Sequence, residues 1–154
     1  MEVTIVEVIK GMLAPGIMIS ACGLLLLGMN NKYSLVVNRI RTLNNEFRQL
    51  NENDQVRKES ITTQIPLLIE RMRLIRNAVW LYTIGIAMFI FSIFCLGIYF
   101  LDGKTVFVTA ASLVLFIIAL VSVLFGVLHA AKEVRLGYKI LLIETKGILK
   151  ASKN

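Results

Sequence analysis

AVWLYTIGIAMFIFSIFCLGIYFL, residues 78–101, is a stretch without a single Asp, Glu, Lys or Arg. The hydrocarbon core of a bilayer is about 30 Å thick and is crossed by about 20 helical residues, so this stretch is long enough to span it. Residues 11–29 and 106–130 lack the same charged residues. A helix satisfies its own backbone hydrogen bonds, as a spanning segment in lipid must. The sequence therefore predicts an all-α integral membrane protein with three transmembrane helices.

The basic residues predict how these spans are oriented. Fifteen of the seventeen Lys and Arg residues lie in residues 30–77 and 131–154. Because loops on the cytoplasmic side are enriched in Lys and Arg, we expect both segments in the cytoplasm. The N-terminus and the short turn 102–105 are then outside, and the C-terminus is in the cytoplasm. The sequence thus predicts a multi-pass protein of the cytoplasmic membrane.

The same distribution accounts for the formal net charge of +7. Anionic lipid headgroups are the expected counter-charge for basic residues beside a span. Binding to nucleic acid is not expected, because it would need an exposed basic domain. The residues that we expect at the headgroups are Arg71, Arg73, Arg76, Lys132 and Arg135.

Hydrophobic residues continue beyond the spans at alternating steps of four and three, the spacing of helices that pack together. In residues 30–77 this pattern predicts a cytoplasmic helical hairpin with its tip at NENDQ, residues 51–55. Residues 131–154 are predicted to form a C-terminal helix that packs against the hairpin in a coiled-coil-like bundle. These seams either pack within one subunit or also assemble subunits. They are Met29, Tyr33, Val36, Ile40, Leu43, Phe47 and Leu50; Ile61, Ile65, Leu68, Met72, Ile75, Val79 and Tyr82; and Val127, Ala131, Val134, Tyr138, Leu141, Thr145 and Ile148.

The two prolines bear on where the helices begin. Pro66 removes a backbone donor and clashes with the previous turn, so the returning helix of the hairpin either kinks there or starts just before it. Pro15 is expected within about one turn of the start of the first span, where a missing N–H is tolerated.

Ile19-Ser20-Ala21-Cys22 in the first span resembles the processing site of a bacterial lipoprotein. A signal peptide needs a basic start and a polar sequence after cleavage. Here Glu2 and Glu7 make the start slightly acidic, and the apolar run continues after Cys22. We therefore predict that the segment remains as a span.

The residues that usually carry chemistry are missing from the spans. An ionisable residue at membrane depth would indicate a transport pathway or a proton relay, and the spans contain no Asp, Glu, Lys or Arg. His129 is interpreted as an interfacial histidine beside Lys132 and not as a ligand or pH sensor. No nucleophile–base set, phosphate-binding loop or metal-ligand spacing is present. We expect neither an enzyme nor a bound cofactor or metal.

One face of the first helix combines small and polar residues at steps of four and three, so that they share one side. Small residues in a span allow a neighbouring helix to approach closely. Alternatively, several copies of this face surround a pore, with rings of oxygens, an apolar constriction and a basic vestibule. The residues are Gly16, Ser20, Gly23, Leu27, Asn30, Ser34, Asn38 and Arg41, followed by Asn45 and Arg48.

The stretch LAPGIMISACGLLLLGMNNKYSLVVNRIRTLNNE, residues 13–46, resembles the N-terminal signature of an uncharacterised bacterial family, the domain of unknown function 2721. That signature combines a Pro-containing first span with an NR-R-LN-like segment, here residues 38–44. With two further spans, the resemblance covers nearly the whole chain. It implies a small three-span membrane protein and assigns no catalytic residue.

These features together predict a homo-oligomer, because three spans alone rarely enclose a pathway. The first functional hypothesis is a pore or ion channel lined by the first span. The alternative is a non-conducting membrane scaffold whose basic cytoplasmic helices bind anionic lipid or a partner protein. The sequence identifies no specific protein partner.

Overall fold

In a computed structural model, the chain forms three long α-helices. The structure describes residues 5–51, 54–101 and 106–151. Helix α1 is Ile5–Gln49, α2 is Gln55–Leu101 and α3 is Val106–Ala151. At 1.5 Å per residue, each extends about 70 Å, roughly twice the thickness of the hydrocarbon core. All three helices are long and apolar enough to cross a membrane, which confirms the predicted all-α fold with three spans.

The prolines do not mark the helix starts that the sequence suggested. Pro15 lies in the interior of α1, which begins at Ile5, so the expected position within one turn of the start is wrong. The apolar residues before Pro15 extend the helix by about three turns on its N-terminal side. Pro66 lies inside α2, which begins at Gln55, so a start just before Pro66 is also wrong.

Asp54 lies within the predicted hairpin tip and immediately precedes α2. Its backbone oxygen accepts hydrogen bonds from the N–H groups of Arg57 and Lys58, both at 3.1 Å. Its own N–H donates to the carbonyl oxygen of Asn51 at 3.2 Å, which closes the turn. Residues 52–53 of the tip and the predicted outside turn 102–105 lie outside the described residues.

The chain divides into two compact units. The first unit consists of Met1–Gly28 and Val79–Val127, and the second unit consists of Met29–Ala78 and Leu128–Asn154. Each unit therefore contains part of all three helices.

Small residues bring α2 and α3 together in the first unit. A Cβ added at Gly126 would lie 2.6 Å from Cε1 of Tyr82, and one added at Gly85 would lie 2.7 Å from Cγ2 of Val123. Both distances are shorter than van der Waals contact, so these positions need glycine. Close backbone approach of this kind is typical of helix packing in membranes.

Serine hydroxyls join the same two helices within the first unit. Ser92 Oγ donates to the carbonyl oxygen of Ser112, and Ser112 Oγ donates to that of Ser92, both at 3.0 Å. Ser122 Oγ donates to the carbonyl oxygen of Leu81 at 2.8 Å. In an apolar environment these bonds satisfy hydroxyls that have no water to bind.

Buried residues recur every seven positions on each helix, which partly confirms and partly corrects the predicted seams. On α1, Met29, Val36 and Leu43 are buried as predicted, whereas Tyr33 and Phe47 are exposed. On α2, the predicted Ile61, Leu68, Ile75 and Tyr82 are buried. The predicted Ile65, Met72 and Val79 on α2 are half-buried, and the fully buried residues beside them are Gln64 and Ala78, one position earlier.

The seam predicted on α3 does not pack against the described parts of α1 and α2 in the same chain. Val127, Ala131, Val134, Tyr138, Leu141 and Thr145 are exposed, and the side chain of Ile148 lies outside the described residues. The buried line runs one residue earlier along the chain, at Ala119, Gly126, Glu133 and Ile140. A glycine and a paired carboxylate occupy core positions there, so a search for hydrophobic residues selects the neighbouring line.

Candidate functional site on the outer face of α1

The small residues of α1 in the first unit do not pack against the other two helices. A Cβ added at Gly16 or Gly23 would meet no atom within 4 Å, in contrast to Gly85 and Gly126. Ser20, Gly23 and Leu27 are exposed, and Gly16 is half-buried. Packing against α2 or α3 of the same chain therefore does not explain why this face is small.

The outer end of this face forms a shallow groove of about 370 Å³. The Ser20 hydroxyl donates to the carbonyl oxygen of Gly16 at 3.4 Å, so it stays on its own helix. An exposed face of small residues can accept another helix at close distance, and Ser20 is the polar side chain in the groove. The groove is lined by Ile9, Met12, Leu13, Gly16, Ile17 and Ser20.

In the second unit, α1 presents a polar outer surface. Asn30, Ser34, Asn38 and Arg41 are all exposed, as are Asn45 and Arg48. Ser34 is two residues from the buried Val36, which corresponds to a rotation of about 200° around a helix. The polar residues therefore lie on the side of α1 that faces away from α2 and α3 in this unit.

A buried carboxylate connects the three helices of the second unit. The side chain of Glu133 on α3 is 0% exposed. Its Oε1 accepts a hydrogen bond from Arg71 Nε of α2 at 2.5 Å, and its Oε2 accepts one from Lys32 Nζ of α1 at 3.0 Å. We call Lys32, Arg71 and Glu133 the ion cluster. A charge at this depth is tolerated because both carboxylate oxygens are paired.

Gly137 makes room for the ion cluster. A Cβ at this position would lie 3.2 Å from Cζ of Arg71. The guanidinium of Arg71 therefore lies against α3 between Glu133 and Gly137, one helical turn apart.

A second ion pair joins α1 and α2 near their connection. Arg57 donates from Nε to Glu46 Oε1 at 2.6 Å and from Nη2 to Oε2 at 3.0 Å. This two-pronged hydrogen bond, together with the positive charge, holds the pKa of the Glu46 carboxyl below its usual value.

Residues 12–143 match the model of a family described as a protein of unknown function (DUF2721). The chain belongs to this family. The match confirms the resemblance found in the sequence and includes all three members of the ion cluster. Comparisons with curated proteins and with solved structures give no match. This DUF2721 member is a multi-pass helical protein of the membrane type.

The basic residues assigned to lipid headgroups fall into two groups in this DUF2721 member. Arg73, Arg76, Lys132 and Arg135 are exposed, and their contact with headgroups stays a prediction. Arg71 differs because its guanidinium binds Glu133. Among the described residues, no group of His, Cys, Asp and Glu has the geometry of a metal site. His129 is half-buried.

Sequence reasoning missed Glu133, although two signals point to it. It follows Gly126 by seven residues and precedes Ile140 by seven, and it is the one acidic residue in the basic stretch 128–142. An acidic residue on the buried line of a helix needs a cationic partner, because an unpaired buried charge is strongly destabilising.

Proposed function

We propose that this protein is a homo-oligomer of the cytoplasmic membrane in which copies of α1 surround a pore or ion channel. The observation that carries this proposal is the unpacked small face of α1 in the first unit, at Gly16, Ser20, Gly23 and Leu27. Among the residues that the structure describes, Gly16 and Gly23 have no neighbour that requires glycine. Lipid does not require it either, because larger apolar side chains are equally soluble in hydrocarbon.

A second copy of α1 accounts for this face. Small residues let helices approach closely around an axis, and a ring of Ser20 hydroxyls supplies oxygens to a permeating ion. A ring of Leu27 side chains supplies an apolar constriction of the kind that gates by dewetting. In the second unit, Asn30, Ser34 and Asn38 continue as polar rings and Arg41 as a basic vestibule.

A non-conducting scaffold is the second candidate. It is favoured by the exposed cations Arg73, Arg76, Lys132 and Arg135, which lie in the part of the chain nearest to the predicted inner membrane surface. Anionic headgroups attract such clusters by about 1 kcal/mol per cation. In this case α1 faces mediate contact between subunits without enclosing water.

Ion flux into liposomes containing the purified oligomer separates the two candidates. We expect flux from the unmodified protein and its loss in Leu27→Trp, because a ring of indoles closes the constriction. Leu124→Trp on α3 is the matched control, since Leu124 and Leu27 are 58% and 59% exposed. An intact oligomer that conducts no ion under varied voltage and pH overturns the channel and leaves the scaffold. A protein that is monomeric in lipid overturns the homo-oligomer.

A further inference from the structure

We propose that the second unit carries a subunit interface formed by α3 of one copy and α2 of the next. On α3 it consists of an outer stripe, defined as Val134, Tyr138 and Leu141. On α2 of the neighbouring copy it consists of Ile69 and Glu70. This inference rests on the proposed homo-oligomer, and it does not depend on whether that oligomer conducts.

The outer stripe is an apolar surface without a partner in the described part of the chain. Val134, Tyr138 and Leu141 are 56%, 66% and 59% exposed. Their steps of four and three place them on one side of α3. The buried line of α3 contacts the other helices one residue earlier, so the outer stripe remains available. Contiguous apolar surface next to charged residues marks an interaction site.

Charge determines which surface can cover the outer stripe. The charged residues beside it, Lys132, Arg135 and Lys139, are all basic and exposed. Two copies of α3 side by side would therefore bring like charges together, which opposes association. The covering surface needs an exposed acidic residue next to an apolar one.

Helix α2 of the second unit provides such a surface. Among the described side chains of this unit, Glu46 is paired with Arg57 and Glu133 is buried in the ion cluster, whereas Asp54 and Glu59 are exposed near the start of α2. Glu70 is exposed and follows Ile69, which is exposed as well, and the exposed Arg73 lies one turn further along α2. Neither Glu70 nor Arg135 makes an ion pair within the residues that the structure describes.

The ion cluster places these two surfaces at the same height. Arg71 contacts Glu133 and lies against Gly137, so residue 71 of α2 is level with residues 133–137 of α3. Glu70 is therefore level with Arg135 and Tyr138. Rotation about an axis parallel to the helices preserves height. In a ring of identical subunits, Glu70 of one copy can thus meet Arg135 of its neighbour without a vertical shift.

The partner is accordingly a second copy of this chain. One chain carries both complementary surfaces, an apolar stripe with a basic flank and an apolar residue with an acidic neighbour. A contact between two different surfaces of identical subunits is heterologous, and it forms a closed ring when the rotation fits. Such a ring places the same contact between every pair of neighbours.

Cysteine cross-linking between two differently tagged chains tests this interface. One chain carries Ile69→Cys and the other Tyr138→Cys, both in a background with Cys22→Ala and Cys95→Ala. Co-expression followed by mild oxidation in membranes should yield a disulfide-linked dimer containing both tags. Leu35→Cys replaces Tyr138→Cys in the control, because Leu35 is 68% exposed but lies on α1. We expect at least a tenfold lower dimer yield from the control pair.

A charge reversal provides the second measurement. Glu70→Arg should weaken the oligomer at least tenfold in a dilution series followed by native mass spectrometry. Arg135→Glu added to Glu70→Arg should restore most of this loss, because the opposite charges face each other again.

The outcomes separate this inference from the proposed function. An oligomer that conducts ions but gives no dimer between positions 69 and 138 overturns the interface and leaves the channel. Full reaction of Tyr138→Cys with a water-soluble maleimide in the intact oligomer overturns the interface as well, because the stripe is then open to solvent or to another partner. A cross-linked oligomer without ion flux supports the interface and overturns the channel. A monomer overturns both.

Discussion

Arg71 Nε on α2 lies 2.5 Å from Oε1 of Glu133 on α3, and Lys32 Nζ on α1 lies 3.0 Å from the other oxygen of the same carboxylate. Each helix of the second unit thus contributes one charged group to a single contact. Because the carboxylate is fully buried and the two cations are partly exposed, the three residues are not equivalent. Removing the anion leaves cations that water can reach, whereas removing both cations leaves a carboxylate without its two hydrogen-bond donors.

The first prediction follows from this asymmetry. Lys32→Ala or Arg71→Ala alone leaves Glu133 one partner and should cost about 1–3 kcal/mol of unfolding free energy. The double variant should cost more than the sum of the two, because it leaves an unpaired buried carboxylate. Thermal unfolding in detergent followed by circular dichroism measures these changes, with Lys10→Ala as the control for loss of a distant cation. Additive losses would contradict a shared carboxylate.

The second prediction concerns the glycines. Gly126→Ala places a Cβ against the Tyr82 ring, and we expect a loss of about 1–3 kcal/mol from overpacking. Gly23→Ala has open space around it and should be neutral or slightly stabilising within one chain, because alanine favours a helix by about 1 kcal/mol over glycine. Unfolding of monomeric protein in detergent provides the comparison. Equal losses of unfolding free energy in Gly126→Ala and Gly23→Ala would show that the close α2–α3 contact is absent.

The third prediction addresses the serine pair of the first unit. Ser92→Ala should cost about 0.6–1.7 kcal/mol, between the average and the largest value expected for a hydrogen bond between helices in a membrane protein. Ser112→Ala added to it should cost about as much again, since each hydroxyl bonds to the backbone of the other residue and Ser92→Ala leaves the bond from Ser112 in place. Ser20→Ala is the control, because its hydroxyl bonds only within α1 at 3.4 Å. A cost for Ser20→Ala as large as that for Ser92→Ala would argue against an interhelical bond.

The fourth prediction is a pH dependence near the connection of α1 and α2. Because the pKa of Glu46 is lowered in the folded protein, its pair with Arg57 stabilises the fold above the ordinary carboxyl pKa. That contribution is lost as the pH falls through the lowered folded value. A carboxyl NMR titration of Glu46 should show a midpoint below the ordinary range, and Arg57→Gln should raise it. An unchanged midpoint in Arg57→Gln would mean that the pair does not form in solution.

The spans could be predicted from the sequence because lipid selects strongly on one property, the absence of charge over about 20 residues. Residues 78–101 satisfy this rule without ambiguity, and the family resemblance in residues 13–46 agrees with the matched family. The outer face of α1 could also be recognised as one line, since helix geometry alone decides which residues share a side. The exposure of this face could not be predicted, because it depends on where the other two helices lie.

The core of α3 shows why hydrophobic periodicity fails beyond the span. Val134 and Tyr138 are more hydrophobic than Glu133 and Gly137, yet the latter pair faces α2. Packing there is decided by the size and charge of Arg71, which requires a carboxylate and an adjacent gap. The residue pattern of one helix does not show which side chain of a neighbouring helix packs against it.

The three residues of the ion cluster are synthesised at different times. Chains are made from the N-terminus, and Lys32 and Arg71 leave the ribosome before Glu133. Until α3 is complete, both cations remain hydrated and the hairpin of α1 and α2 lacks the anion that neutralises them. The last helix to be translated therefore supplies the Glu133 carboxylate, which pairs with both cations in the second unit. Nascent chains that end before residue 133 lack this contact.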